Sequence, residues 1–226
     1  MKQISCLWQR IRYGEVNGLR RRIRGRENLF RADGAALTNI QVDLIGDDNQ
    51  VVIGEGCVLH NVIFRIRGNG HRIEIVPRCR ISRGAVIWFE DENCRLQIGE
   101  DATMVEVHIA VTEPGSQVHI GKGCMFANDI DIRTGDSHAI LDARSGKRLN
   151  PAADVEIGDH VWIAAHVIVL KGVTIGENSV VATGSVFTQS CPSGVIVAGN
   201  PARVIKTGIT WQRERYPNQK ERPDTS

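Results

Sequence analysis

The sequence predicts an all-β fold, a solenoid of stacked three-sided coils, and three observations carry that expectation. Ile157, Ile163, Val169, Ile175, Val181 and Phe187 recur at a spacing of six, and four residues after each stands a small or branched side chain: Val161, Val167, Val173, Ser179, Ser185 and Cys191. A helix repeats every 3.6 residues and an ordinary strand every 2.0, so neither yields a sustained period of six. Three short flat strands joined by tight corners do yield it, each hexad supplying one side and each coil burying its apolar interior against its neighbours. Upstream, V-V-I-G-E-G-C at 51–57 returns as I-E-I-V-P-R-C at 73–79, L-Q-I-G-E-D-A at 96–102 and V-H-I-G-K-G-C at 118–124, with Ile53, Ile75, Ile98 and Ile120 spaced 22, 23 and 22 apart. The third observation is composition: 23 Gly against 7 Pro in 226 residues suits a corner-rich β structure better than a disordered chain.

The chain divides into a basic N-terminal arm at 1–39, the repeat domain at 40–206 and a C-terminal tail at 207–226. Residues 1–31 hold nine Lys or Arg against Glu15 and Glu27, although the whole chain carries only +2. Ile4, Leu7, Trp8 and Ile11 fall at helical spacing and predict a short helix or arm that caps the first coil. The same charge suits docking to an anionic polysaccharide or peripheral association with anionic lipid.

Between 40 and 125 the longer spacing predicts coils with one widened corner, and the polar runs Arg67-Gly68-Asn69-Gly70 and Glu90-Asp91-Glu92-Asn93 are the candidates for it. The register breaks once. Ile120, Phe126 and Ile132 begin successive hexads, yet the next clear start after them is Ile157, so His138 to Asp154 reads as an inserted loop. Loops carried on a rigid scaffold commonly hold functional residues. Past Phe187 the pattern closes at Val195–Val197, Ala202 to Trp211 should cover the open end, and 212–226 has too little apolar content to pack.

Cys57, Cys79, Cys124 and Cys191 occupy the small inward position of the repeat and read as buried free thiols, not as a secreted disulfide framework. No signal peptide and no apolar run of membrane-spanning length is visible, so the expected location is the cytoplasm. The near-neutral balance gives no footprint for nucleic acid.

V-E-I-G-D-H-V-W-I at 155–163, G-V-T-I-G-E-N-S-V-V-A-T-G-S-V at 172–186 and A-G-N-P-A-R-V-I-K at 198–206 resemble the hexapeptide-repeat acyltransferases. The resemblance implies a left-handed parallel β-helix, a homotrimer with sites between subunits, and acetyl-CoA as acyl donor. In that family a histidine at the start of an excluded loop acts as general base, and Thr134-Gly135-Asp136-Ser137-His138 is similar to that position. Asp136 is the nearest carboxylate that could orient the His138 imidazole, with Asp129 and Asp131 next.

Trp162 sits on an outward position of its hexad, where its ring could pack on a ligand or its N–H could donate to the thioester or acceptor oxygen; burial under the loop or a neighbouring subunit is the other reading. A loop histidine paired with a tryptophan in a Val-Trp context resembles the capsular polysialic acid O-acetyltransferases. The resemblance further implies that Ala165 and Thr183 offer backbone groups to pantetheine, that Thr188 follows them, and that Arg203 and Lys206 meet the phosphates. Fixed cations, Arg above all, are also what a polyanion requires on physical grounds. Gln189 departs from the family, where lysine is frequent.

His160 and His166 stand one hexad apart on variable corner positions, but a third metal ligand is not evident, so no metal is expected. The sequence thus predicts an O-acetyltransferase acting on a sugar hydroxyl, of a capsular or other surface polysaccharide. The alternatives are an acetyltransferase of a small sugar, amino sugar or antibiotic, and a non-catalytic β-helix that binds or scaffolds.

Overall fold

The structure is a computed structural model that describes residues 16–215; the helix expected over 4–11, Cys6 and the last residues of the tail lie outside them. Among the described residues every regular element is a strand, and no helix is present that could cross a membrane. One sheet of fourteen strands bends through the first and second faces of a three-sided coil, and a sheet of seven strands forms the third face. All pairings between these strands are parallel except the last, between Val195–Gly199 and Ala202–Thr207.

The predicted register is the observed one. On the third face Ile53 pairs Ile75, then Ile98, Ile120, Ile157 and Ile175 in turn, so the register crosses the inserted loop without a slip. On the first face Phe126 pairs Ile163 and Ile163 pairs Val181; on the second Ile132 pairs Val169 and Val169 pairs Phe187. All these side chains are buried in one continuous core, each worth about 1.5–3 kcal/mol of apolar transfer.

The glycine after most marker isoleucines has a steric cause. A Cβ on Gly121 would lie 2.6 Å from the backbone of the next coil at Gly158 and Asp159, and one on Gly176 would lie 2.3 Å from Ser193 N. At these glycines the coils stack too closely for a side chain, whereas Val76 takes the equivalent place after Ile75.

The extra residues of the early coils lie at the corner between the second and third faces, which includes 68–71 and 90–94. Inside it runs a polar column. Asn49 N–H donates to Asn28 Oδ1, His71 N–H to Asn49 Oδ1, Cys94 N–H to His71 Nδ1, and Ser116 Oγ bonds Thr134 Oγ1. His71 is fully buried with Nε2 on Arg67 O, and burial lowers its pKa, so it is a neutral core histidine whose tautomer its partners fix. The column ends at Thr134, and the inserted loop leaves from that same corner.

Both termini of the repeat differ from their sequence outline. Val16–Arg24 pairs in parallel with 37–45 and Leu29–Arg31 pairs with 50–52, so residues 16–31, expected within the arm, already form the first coil, and 36–39 open the second. At the other end Ala202–Thr207 returns along the last first-face strand. Ile209 N–H donates to Gly194 O, and the chain then descends the edge between the third and first faces. The five cysteines within the described residues are buried free thiols, and burial pushes Cys124 up to about 11.

Candidate active site

The inserted segment runs from Thr134 to Asp154, between strands Ile130–Arg133 and Val155–Ile157. It folds as a short hairpin: Leu149 N–H donates to Ile140 O and Asp142 N–H to Lys147 O, while Asp142 Oδ1 accepts from the backbone of Ser145. Its apolar side chains are not what holds it, because Ile140, Leu141 and Leu149 are 57%, 56% and 59% exposed. Polar anchors do. Arg148 forks onto Glu113 with contacts of 2.7 and 2.5 Å, and Lys171 Nζ, from the next coil, donates to Asp136 Oδ2 at 2.5 Å. The Arg148 guanidinium holds the Glu113 carboxyl below its ordinary value, and the Lys171 ammonium does the same for Asp136.

His138 is exposed at the root of this loop. Its carbonyl accepts from Asn150 Nδ2 at 2.8 Å, while its ring carries no hydrogen bond or ion pair within the described residues. The candidate orienting carboxylates are all engaged elsewhere. Asp136 faces Lys171 and Asn150, and Asp129 accepts from the His166 ring at 2.8 Å. Asp131 pairs with Arg133 and His108; burial would raise its pKa, but those two partners prevail and lower it.

Trp162 lies on the opposite edge of the third face, at the start of the first. Val155 to His160 separate the two edges, and an extended strand advances about 3.3 Å per residue, so His138 and Trp162 of one chain stand a full face apart. Within the chain Trp162 is half-buried, and what packs on it is not the loop but the C-terminal segment. Trp211 packs beside it at 6.0 Å, stacks flat on His160 at 4.1 Å and donates its indole N–H to His160 O at 2.7 Å. Arg213 continues the strap downward, donating to Thr103 Oγ1 at 2.6 Å and to the carbonyls of Gly123 and Cys124. Residues 207–215, expected as the start of a tail, are thus pinned across several coils. The Trp162 indole N–H has no acceptor within the described residues.

The residues expected to hold coenzyme A divide between edges. Ala165 and Thr183 stack at the edge between the first and second faces, where Gly184 N–H donates to Ala165 O. Arg203 pairs with Ala198 toward that same edge. Lys206 pairs with Ile196, in line with Val180 and Trp162 on the first face. Thr188 lies across the second face, on the edge that carries Lys171 and the loop. Arg203 and Lys206 are exposed and form no salt bridge among the described residues.

Between the edges of His138 and Trp162 the third face holds a groove of about 340 Å³, lined among others by Arg95, Gln97, Gln117, His119 and Glu156. His160 and His166 occupy left-handed corner positions (φ 54 and 59) and bond Asn178 and Asp129. Among the described residues no group of three metal-ligating side chains stands together.

The structure thus sets His138 on an anchored loop at one edge of the prism, Trp162 on a neighbouring edge, and Arg203 and Lys206 exposed at the last coil. The bacterial transferase hexapeptide model (six repeats) matches residues 154–189. Over 194 residues the chain is 34% identical to a polysialic acid O-acetyltransferase of Neisseria meningitidis, a match spanning 85% of this chain and 89% of the relative. Two solved structures share the architecture at 31% identity: the polysialic acid O-acetyltransferase OatWY (TM-score 0.82, covering 89% of this chain and 94% of that one) and the polySia specific acetyltransferase NeuO (TM-score 0.77, 89% and 92%). The chain therefore belongs to the hexapeptide-repeat transferase family. It is an O-acetyltransferase built on the left-handed parallel β-helix.

The sequence did not single out Asn150, Lys171, Arg148 with Glu113, or Trp211. Asn150-Pro151 and the lone Trp211 in a polar tail were the available signals.

Proposed function

We propose that this protein transfers the acetyl group of acetyl-CoA to a hydroxyl of a capsular or other cell-surface polysaccharide, at sites shared between subunits of a homotrimer. The observation that carries this reading is the distribution of the candidate residues over different edges of one prism. A cleft combining His138 with Trp162 draws them from two copies, and a closed head-to-tail trimer provides three such clefts.

In each cleft His138 takes the acceptor hydroxyl proton as that oxygen bonds to the acetyl carbonyl carbon. The Trp162 N–H donates to the developing oxyanion, the C–S bond then breaks, and the imidazolium returns its proton to the departing thiolate. No covalent enzyme intermediate forms. Ala165 and Thr183 offer backbone groups to pantetheine and Arg203 with Lys206 meets the phosphates, while Thr188 reaches the cleft from the other copy. The cytoplasm supplies acetyl-CoA and keeps the five buried thiols reduced.

A capsular acceptor is favoured by the polysialic acid O-acetyltransferase named above, and a polyanionic one by the basic first coil, where Arg20, Arg21, Arg22 and Arg24 are all exposed. Radiolabelled acetyl-CoA incubated with polysialic acid, neutral glycans, monosaccharides and amino sugars tests the acceptor: label in polymer is the expected result, and label only in small sugars overturns the polysaccharide reading. A scaffold without catalysis would gain no thermal protection from acetyl-CoA.

The arm requires its own test. Deleting 1–31 would remove the strands Val16–Arg24 and Leu29–Arg31 with it, so the appropriate variants are a deletion of 1–15 and the pair Arg20→Glu with Arg22→Glu. Each should raise the polymer KM severalfold and flatten its salt dependence. Unchanged kinetics in both would end the docking role.

A further inference from the structure

Asn150 is 8% exposed in a loop whose apolar side chains are mostly in solvent. Its amide uses all four of its hydrogen-bonding positions. Nδ2 donates to His138 O and to Asp136 Oδ2, each at 2.8 Å. Oδ1 accepts from Ile140 N–H at 2.6 Å and from Arg148 Nε at 3.4 Å. The amide orientation follows from its partners, since His138 O requires a donor and Ile140 N–H an acceptor. One side chain therefore ties down the backbone at 138 and 140 and the carboxylate of Asp136. Asn150 is itself held, because its carbonyl accepts from Lys171 Nζ at 2.9 Å and from Arg148 Nη2 at 3.1 Å. Arg148 in turn is fixed on Glu113, and Lys171 belongs to the rigid coil above.

We propose that Asn150 is a positioning residue for acetyl transfer, fixing the backbone that aims the His138 imidazole; the inference rests on the reading of His138 as base. No core packs beneath this backbone, so the polar hub replaces one. A base displaced by about 1 Å can cost on the order of 10²-fold in rate. Asp136, two residues before the base, then acts as a strut between Asn150 and Lys171.

Two substitutions test it. Asn150→Ala removes the hub. Asn150→Asp is nearly isosteric and keeps the acceptor for Ile140, but it loses both donors and sets a carboxylate against Asp136. Both should lower kcat about 10–10²-fold while acetyl-CoA KM and thermal protection by acetyl-CoA stay within about threefold of the parent.

A double-mutant cycle supplies the readout that a merely structural role would not give. In the His138→Ala background, assayed at high enzyme concentration, Asn150→Ala should change residual turnover by less than about twofold, because its effect passes through a base already removed. An Asn150→Ala enzyme with near-parental kcat, beside a crippled His138→Ala enzyme, overturns the positioning role alone. Additive losses in the cycle, or loss of acetyl-CoA protection in both Asn150 variants, also overturn it. A near-parental His138→Ala enzyme would instead remove the base reading on which it rests.

Discussion

Replacing His138 with alanine should lower turnover by roughly 10²–10⁴-fold, the usual worth of a general base, and leave acetyl-CoA binding intact. The imidazole is exposed at the root of a loop held by other side chains, so truncating it removes no packing from the core. Acetyl-CoA at about 100 times its Kd should still add about 2.7 kcal/mol of stability to the variant. The loop anchors do not confuse this measurement. Glu113 and Asp136 have pKa values held below 4.5 and 3.8 by Arg148 and Lys171. A carboxylate with a depressed folded-state pKa contributes stability above its unfolded value and loses it only as pH falls through the folded one. Both anchors therefore remain ionised above about pH 5, and a rate loss that begins above that point belongs to another group. Near-parental turnover with acetyl-CoA protection intact would take His138 out of the chemistry.

The register was legible because a solenoid is close to one-dimensional: each hexad's neighbours follow from counting, and Ile120 opposite Ile157 follows from counting across the loop. The Ile-Gly corners were legible as a motif and gain their cause from the approach of stacked backbones. What counting could not supply was the partner of any side chain outside the period. Asp136 is two residues from His138 in sequence, yet Ser137 between them adopts a left-handed conformation (φ 63), and the carboxylate meets Lys171, 35 residues onward. Trp211 obeys no repeat and docks on His160, 51 residues earlier, so sequence alone could mark its tail as polar but not as a strap. The first coil was missed for the opposite reason. Its arginines at 20, 21, 22 and 24 hide a strand whose register only the pairing with 41–45 reveals.

Combining two inactive chains should restore activity, and this result bears most directly on where the site lies. His138→Ala and Trp162→Ala each remove one half of the proposed cleft, the second at a cost of roughly 10²-fold if the indole N–H serves the oxyanion. The two residues occupy different edges of one chain, so in a head-to-tail trimer each cleft takes its histidine from one copy and its tryptophan from the next. Every mixed trimer of the two variants then holds one cleft with both residues intact. Random assortment at equal expression should regain about a quarter of parental turnover, far above either variant alone. Trp162→Phe in place of alanine keeps the packing against Trp211 and removes only the N–H, which separates a lost donor from a disturbed strap. Co-expression with separate affinity tags, followed by isolation of doubly tagged trimers, enriches the mixed species. Doubly tagged trimers that stay as inactive as their parents would place the chemistry within single chains, whereas recovery to the expected fraction would assign it to the cleft between copies.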